Sequence, residues 1–264
     1  MLPGWLAAAI EFEPRGLRAF EVAGDRVGWL RDDLIPLLLW RWPTVFSVRD
    51  GAITLAARLA DDGSRTAALA TVCAGLRDSG WVRGWRNEHY AVLGESDGVL
   101  KFTLERAAVK RFGVRGHAVH VNGLVRAPDG VAMWIATRSR SKPTDPGRLD
   151  NLVGGGVPTG DGVEATLVRE CAEEAGIAPA HARRVAAAGE IRFMRRHAEG
   201  VDANHIHVFD LELPADFVPR AVDGEVERFE LMPLAQVRAR LEQPERFSVD
   251  AALVAAACLE RHPP

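Results

Sequence analysis

The sequence predicts an α/β (α+β) protein: a mixed β-sheet with one long central helix and a C-terminal helix, preceded by a small α+β unit. Three observations carry this. Apolar residues alternate along "HAVHVNGLVRA" and "VAMWIATRSR", two strands that flank the turn signal "PDG" at 128–130 and read as a hairpin. The stretch after Gly162 has helical periodicity instead, and strand-like segments return beyond it. Tryptophan usage also changes along the chain, because residues 5, 29, 40, 42, 81 and 85 hold six of the seven, and only Trp134 lies later. We therefore expect an N-terminal α+β domain over residues 1–112 and a second domain over residues 113–264.

In the first unit, "LRDDLIPLLLWRWPTVF" predicts a helix that stops before Pro43. "GAITLAARLADDGSRTAALATVCAGLRDSG" predicts a short strand and then a helix ending at Gly80. His89 and Tyr90, beside Trp85, are expected to pack and not to react. In the second unit the hairpin leads to a basic loop, "RSRSKPTDPGRLDN", and then to "GGGVPTGDGVEATLVRECAEEAGI" at 154–177. Three strands follow, in "AAGEIRFMRR", "ANHIHVFDLELP" and "ERFELMPL". Two helices close the chain, near 234–241 and 248–260.

Composition removes several function classes. Lys plus Arg (33) nearly balances Asp plus Glu (36), a net charge of −3, so nothing points to a nucleic acid polymer or an anionic membrane as partner. Cys73, Cys171 and Cys258 lie far apart with no zinc-type spacing, which suits a reducing compartment. The first residues, "MLPGWLAAAIEFEPRG", lack a basic leader, and the longest apolar run, "LIPLLLW", is far short of a membrane span. A cytoplasmic location is expected.

The chemistry is concentrated at 154–177. Placed at 100° per residue, Ala165, Leu167, Val168, Cys171, Ala172 and Ala175 cover one helix side, and Arg169, Glu170, Glu173 and Glu174 cover the other. Glu170 stands i,i+3 and i,i+4 from the two later glutamates, so three like charges share adjacent turns and repel unless a cation lies between them. A hard divalent cation with oxygen ligands meets that need, and Mg²⁺ takes a few carboxylates while a substrate's phosphates complete its shell. Gly154, Gly155 and Gly156 let the backbone approach a metal or phosphate. No GK[ST] or GxGxxG pattern supports a Walker or dinucleotide loop. Asp161 is expected to cap the helix with Glu164 as its capping-box partner, a structural role. His205 and His207 share one face of a strand, with His117 and His120 elsewhere, and these histidines are expected to be structural; no zinc site is evident.

These residues resemble the Nudix box, GX5EX7REUXEEXGU with U aliphatic. Gly155, Asp161, Arg169, Glu170, Glu173, Glu174, Gly176 and Ile177 fall at its positions, with Asp161 replacing the first glutamate and Cys171 at an aliphatic position. The resemblance implies a Nudix α/β/α sandwich and hydrolysis of a diphosphate linked to another group. It implies that Glu170, Glu173 and Glu174 bind Mg²⁺ or Mn²⁺, with the Gly155 carbonyl as a further ligand, that Arg169 belongs to the catalytic set, and that Gly176 is structural. The base that takes the water proton is left open between Glu173 and, in the loop "DGEVERF", Glu225 or Glu227. Arg138, Arg140, Lys142 and Arg148 in the basic loop, with Gly155 and Gly156, are expected to meet the substrate's phosphates.

A wider resemblance covers nearly the whole chain. "RSRSKPTDPGRLDNLVGGGVPTGD", "VFDLELPADFVPRAVDGEVERFELMPL" and "RFSVDAALVAAACLERH" look like the Nudix proteins related to thiamine pyrophosphokinase. That resemblance implies a small-molecule diphosphate substrate, thiamine diphosphate or its oxidised analogues, cleaved to the monophosphate. Two other readings stand beside it: a Nudix hydrolase of nucleotide diphosphate derivatives such as ADP-ribose or NADH, and an inactive Nudix-fold binding or regulatory module. Residues 1–112 are open to three roles, forming a homodimer, shaping the pocket or forming a lid.

Overall fold

The structure, a computed structural model, describes residues 2–263 apart from 129, 143 and 223. The "PDG" turn, the basic loop and the loop before "EVERF" therefore each contain one residue outside the described set.

The N-terminal region runs α1 (Gly4–Ala9), β1 (Leu17–Val22), β2 (Asp25–Arg31), α2 (Ile35–Arg41), β3 (Phe46–Arg49), β4 (Ala52–Leu55), α3 (Asp62–Asp78), β5 (His89–Leu93), β6 (Leu100–Glu105) and α4 (Val109–Phe112). Among the described residues β1–β4 form one sheet in the order β2-β1-β4-β3, and β5 and β6 pair antiparallel as a separate ribbon. Phe20, Phe46, Phe102 and Phe112 meet in its core, with Leu69, Val72, Cys73 and Leu76 from α3. Helix α3 starts on a capping box, in which the Asp61 side chain accepts from the Ser64 N–H and Ser64 answers the Asp61 N–H.

The second region runs β7 (Arg115–Ala127), β8 (Gly130–Arg138), β9 (Leu149–Asp150), β10 (Val153–Gly156), α5 (Val163–Ala175), α6 (Pro179–Ala182), β11 (Ala186–His197), β12 (Gly200–Glu212), β13 (Val226–Pro233), α7 (Leu234–Leu241) and α8 (Val249–Arg261). Its sheet has the order β11-β12-β7-β8-β13, with β10 added to β7 and β9 to β8. Pairing is antiparallel except between β12 and β7, which run parallel, so the sheet is mixed as expected.

Side-chain alternation sends β7 and β12 into two cores. Val119, Val121 and Leu211 pack on Leu167 and Cys171 of α5, while Leu124, Met133, Ile135, Ile206 and Val208 pack on α7 and α8. Helices thus cover both faces, and the α/β/α sandwich is the observed architecture. The predicted hairpin and the three later strands all form, and α7 spans the expected 234–241.

Helix α1 falls by chain order within residues 1–112 and packs on the second region: Leu6 is buried in the α7/α8 core, and the Trp5 indole N–H donates to the Leu241 carbonyl at 2.7 Å. A six-residue apolar helix carries no periodic signal that names its partner surface, so this docking was not legible.

Candidate active site

The site forms where β10 leads through a loop into α5. Gly162 is the N-cap of α5 with no side-chain cap hydrogen bond, which corrects the expected Asp161/Glu164 capping box. The Asp161 carboxylate turns instead toward Arg169, 3.8 Å from its Nε, and Glu164 is exposed. The helix ends on an αL cap: Gly176 takes the left-handed φ of 66°, its N–H donates to the Ala172 carbonyl, and the Ile177 N–H donates to the Cys171 carbonyl at 2.9 Å. Gly176 is required by that φ, and Ile177 is buried in the α5 core beside it.

The helical wheel is corrected at Glu174 and at Ala165. Glu174 does not lie on an open face; it is 5% exposed and faces the glycine strand, while Ala165 is exposed and Thr166 is buried. The Glu174 Oε2 accepts the Gly154 N–H at 2.8 Å. Glu170 lies against Gly155 so closely that a Cβ there would overlap its carboxyl group. Glycine at 155 therefore admits the carboxylate to the backbone. Arg169 reaches Glu170 Oε1 at 2.9 Å and Glu173 Oε2 at 3.0 Å, holding both from the solvent side.

Of the four basic residues expected near phosphate, Lys142 is the one that contacts the box among the described residues. Its Nζ lies 3.4 Å from Glu174 Oε1 and 2.5 Å from Glu225 Oε2. Arg138 is engaged with Asp150 at 2.5 Å and donates to the Thr144 carbonyl. Arg148 is engaged with Asp145 and the Phe247 carbonyl. Both shape the loop. Arg140 is exposed on the surface, 3.7 Å from Glu227. The two loop glutamates are thereby separated: Glu225 joins the box through Lys142, and Glu227 stays with Arg140 outside it.

Burial is the dominant electrostatic effect. It pushes Glu174 up to about 8, against the opposing pull of Lys142 and the Gly154 N–H. Burial also raises Glu170, with Arg169 opposing it. For Glu225, burial would raise the carboxyl, but the Lys142 ammonium overrides it and holds the group below its ordinary value. Two glutamates on adjacent turns are thus disfavoured as anions even with Lys142 and Arg169 in contact. A divalent cation fits this donor set, because it would stabilise the charged form of both.

A pH prediction follows. Glu174 has a folded value of about 8, above its unfolded value near 4.5, so the folded state binds more protons in that window. In chelator the Glu174 contribution to stability is fully present below the unfolded value and is lost as pH rises through the folded one. Thermal melts from pH 5 to 8.5 are expected to show that decline, and Glu174→Gln is expected to flatten it.

Sequence reasoning missed a contribution from the N-terminal region. Tyr90 is buried in the first core as expected of a packing residue, yet its hydroxyl stands against Gly156, where any Cβ would overlap it. Arg106 lies over the Tyr90 ring, 5.7 Å from its centre. The Thr159 N–H donates to the His89 carbonyl at 2.7 Å, tying the loop before α5 to β5. No local pattern joins residues 89–106 to 154–159; only the fold does.

The fold and the site together define an α/β/α sandwich with a glutamate cluster where a glycine strand meets a helix. Residues 116–253 match the NUDIX domain, and residues 8–116 match a domain of unknown function, DUF4743. The chain belongs to the Nudix family. It is 42% identical over 213 residues to Nudix hydrolase 20, chloroplastic, of Arabidopsis thaliana, covering 81% of this chain and 57% of that protein. It is 41% identical over 217 residues to Nudix hydrolase 24, chloroplastic, of the same plant, covering 82% and 60%. The chain thus spans somewhat over half the length of these relatives. Among solved structures it is similar to the NUDIX domain of Shewanella oneidensis NrtR complexed with ADP ribose, at 18% identity and a TM-score of 0.45, covering 58% of this chain and 91% of that one. Among the described residues, no helix is long and apolar enough to cross a membrane.

Proposed function

We propose that this chain is a Nudix pyrophosphohydrolase in which Glu170, Glu173 and Glu174 hold Mg²⁺ or Mn²⁺, with the Gly155 carbonyl as a further ligand. The observation that carries the proposal is the seating of Glu170 and Glu174 against Gly155 and Gly154, with both carboxylates withdrawn from solvent. When bound, such a cation neutralises diphosphate charge and lowers the pKa of a water that attacks phosphorus. The chain's own residues do the rest. Arg169 orients Glu170 and Glu173, and Lys142 holds Glu225 at the edge of the cluster. In that position Glu225 is the base we assign for the water proton, because Lys142 brings it to Glu174, whereas Glu227 stays beside exposed Arg140 and Glu173 is held by Arg169. Lys142 is the residue we assign to a substrate phosphate, and Tyr90, with Arg106 over its ring, borders the glycine strand at Gly156.

For the substrate we propose thiamine diphosphate or its oxidised analogues, cleaved to the monophosphate. The support is the likeness of the segments flanking the box to the thiamine pyrophosphokinase-related Nudix proteins. A small-molecule diphosphate is thus the proposed partner, with no nucleic acid polymer and no membrane. A cytoplasmic setting is part of the same proposal, supported by the free thiols Cys73, Cys171 and Cys258, all buried and each pushed up to about 12 by that burial. Of the three roles open to residues 1–112, the Tyr90 and Thr159 contacts favour shaping the pocket over forming a homodimer or a lid.

Purified protein with Mg²⁺ is expected to release monophosphate from thiamine diphosphate and oxothiamine diphosphate faster than from ADP-ribose or NADH. Preference for ADP-ribose or NADH would move the substrate to the nucleotide class and leave the hydrolase reading intact. No turnover of any of the four would support the inactive binding module instead.

A further inference from the structure

Three histidines that look unrelated in the sequence converge on one face of the second sheet. The parallel register of β12 and β7 sets His205 directly beside His117, and His207 follows two residues on, on the same side. The ring centres lie 5.0 Å apart for His117 and His205, 4.5 Å for His205 and His207, and 6.0 Å for His117 and His207. One ring nitrogen from each lies within 4.8 Å of the other two. By alternation this is the face that farther along carries Val119, Val121 and Leu211 against α5, so imidazoles take over where the apolar rows end.

A carboxylate completes the group. Glu190, on the neighbouring β11, pairs in register with His207 and places Oε2 2.8 Å from His205 Nε2 and Oε1 3.7 Å from His207 Nδ1. The Arg192 Nε lies 3.3 Å from the same His205 nitrogen, and its Nη2 is 3.1 Å from Glu190. The Glu190 and Arg192 side chains are 50% and 63% exposed, so both can turn without disturbing the core. His205 itself is buried, and His117 and His207 are partly so.

We propose that His117, His205 and His207, with Glu190 as a fourth ligand, form a second metal site that takes a divalent ion of the zinc class. A set of three nitrogens and one carboxylate oxygen suits tetrahedral Zn²⁺ or Co²⁺ and is a poor match for Mg²⁺, which demands an octahedron of oxygens. The site is separate from the box. His117 is two residues from Val119, the register partner of Gly155, a step of roughly 7 Å along the strand. The Arg192 guanidinium lies against the same His205 nitrogen, so it must swing aside for that nitrogen to take an ion.

The test is a Co²⁺ titration of the full chain after chelator treatment, read by visible absorption, because tetrahedral cobalt absorbs far more strongly than octahedral cobalt. One equivalent with the tetrahedral spectrum is expected, and Zn²⁺ is expected to displace it. His207→Asn, at a part-buried ring, is expected to abolish the band while the melting temperature in chelator stays within a few degrees. His117→Asn provides a second variant, and Glu170→Gln/Glu174→Gln is expected to leave the band intact. A spectrum without the tetrahedral band would overturn the proposal. So would a band that survives both histidine variants, or one that the Glu170→Gln/Glu174→Gln variant removes.

Discussion

Glu174→Gln is expected to lower kcat for diphosphate hydrolysis by about 10³-fold, roughly 4 kcal/mol of transition-state stabilisation. The reason lies in its position. Glu174 is the most buried of the three box glutamates, held by the Gly154 N–H and Lys142, and the amide keeps the shape while removing the charge. The melting temperature in chelator is expected to hold or rise at pH 8, since a buried carboxylate that resists ionisation is replaced by a neutral group. Loss of activity together with gross unfolding would point to a scaffold role. Activity within about tenfold of wild type would remove Glu174 from the chemistry.

The second large effect separates two neighbours in sequence. Glu225→Gln is expected to lower kcat by about 10²-fold, in the range of a lost general base, while Glu227→Gln changes it by no more than about twofold. The physical difference is their company: Glu225 meets Lys142 at the box, and Glu227 meets exposed Arg140. A pH–rate profile adds a readout, because the acid limb of kcat/KM is expected to flatten in Glu225→Gln. If Glu173→Gln shows the larger loss and Glu225→Gln the smaller, the proton goes to Glu173.

Much of this site was legible in the sequence because its parts are local. The spacing of Glu170, Glu173 and Glu174 is read from one helix, the end of that helix from Gly176, and the backbone approach from three consecutive glycines. The strands of the second region were legible by alternation, since each has one face on a core. What stayed hidden depends on parts far apart in the chain. Glu174 shares the polar side of the wheel with Glu173, because a helical wheel does not know that a glycine strand will pack one side of it. Asp161 had the chemistry of a cap, but Gly162 took the N-cap position and Asp161 turned to Arg169. Arg138 and Lys142 read alike in one basic loop, and the fold gave one to Asp150 and the other to Glu174. The three histidines needed a parallel register between strands about ninety residues apart, which no local pattern encodes.

The central claim is that the box carboxylates hold a divalent cation, and it is tested most directly by binding. Mn²⁺ titration of the metal-free protein, followed by electron paramagnetic resonance with Mg²⁺ as competitor, is expected to give a Mg²⁺-displaceable site in the wild type. That site should weaken by at least about tenfold in Glu174→Gln and vanish in Glu170→Gln/Glu174→Gln. Unchanged Mn²⁺ affinity in the double variant, with its fold intact by circular dichroism, would contradict the account.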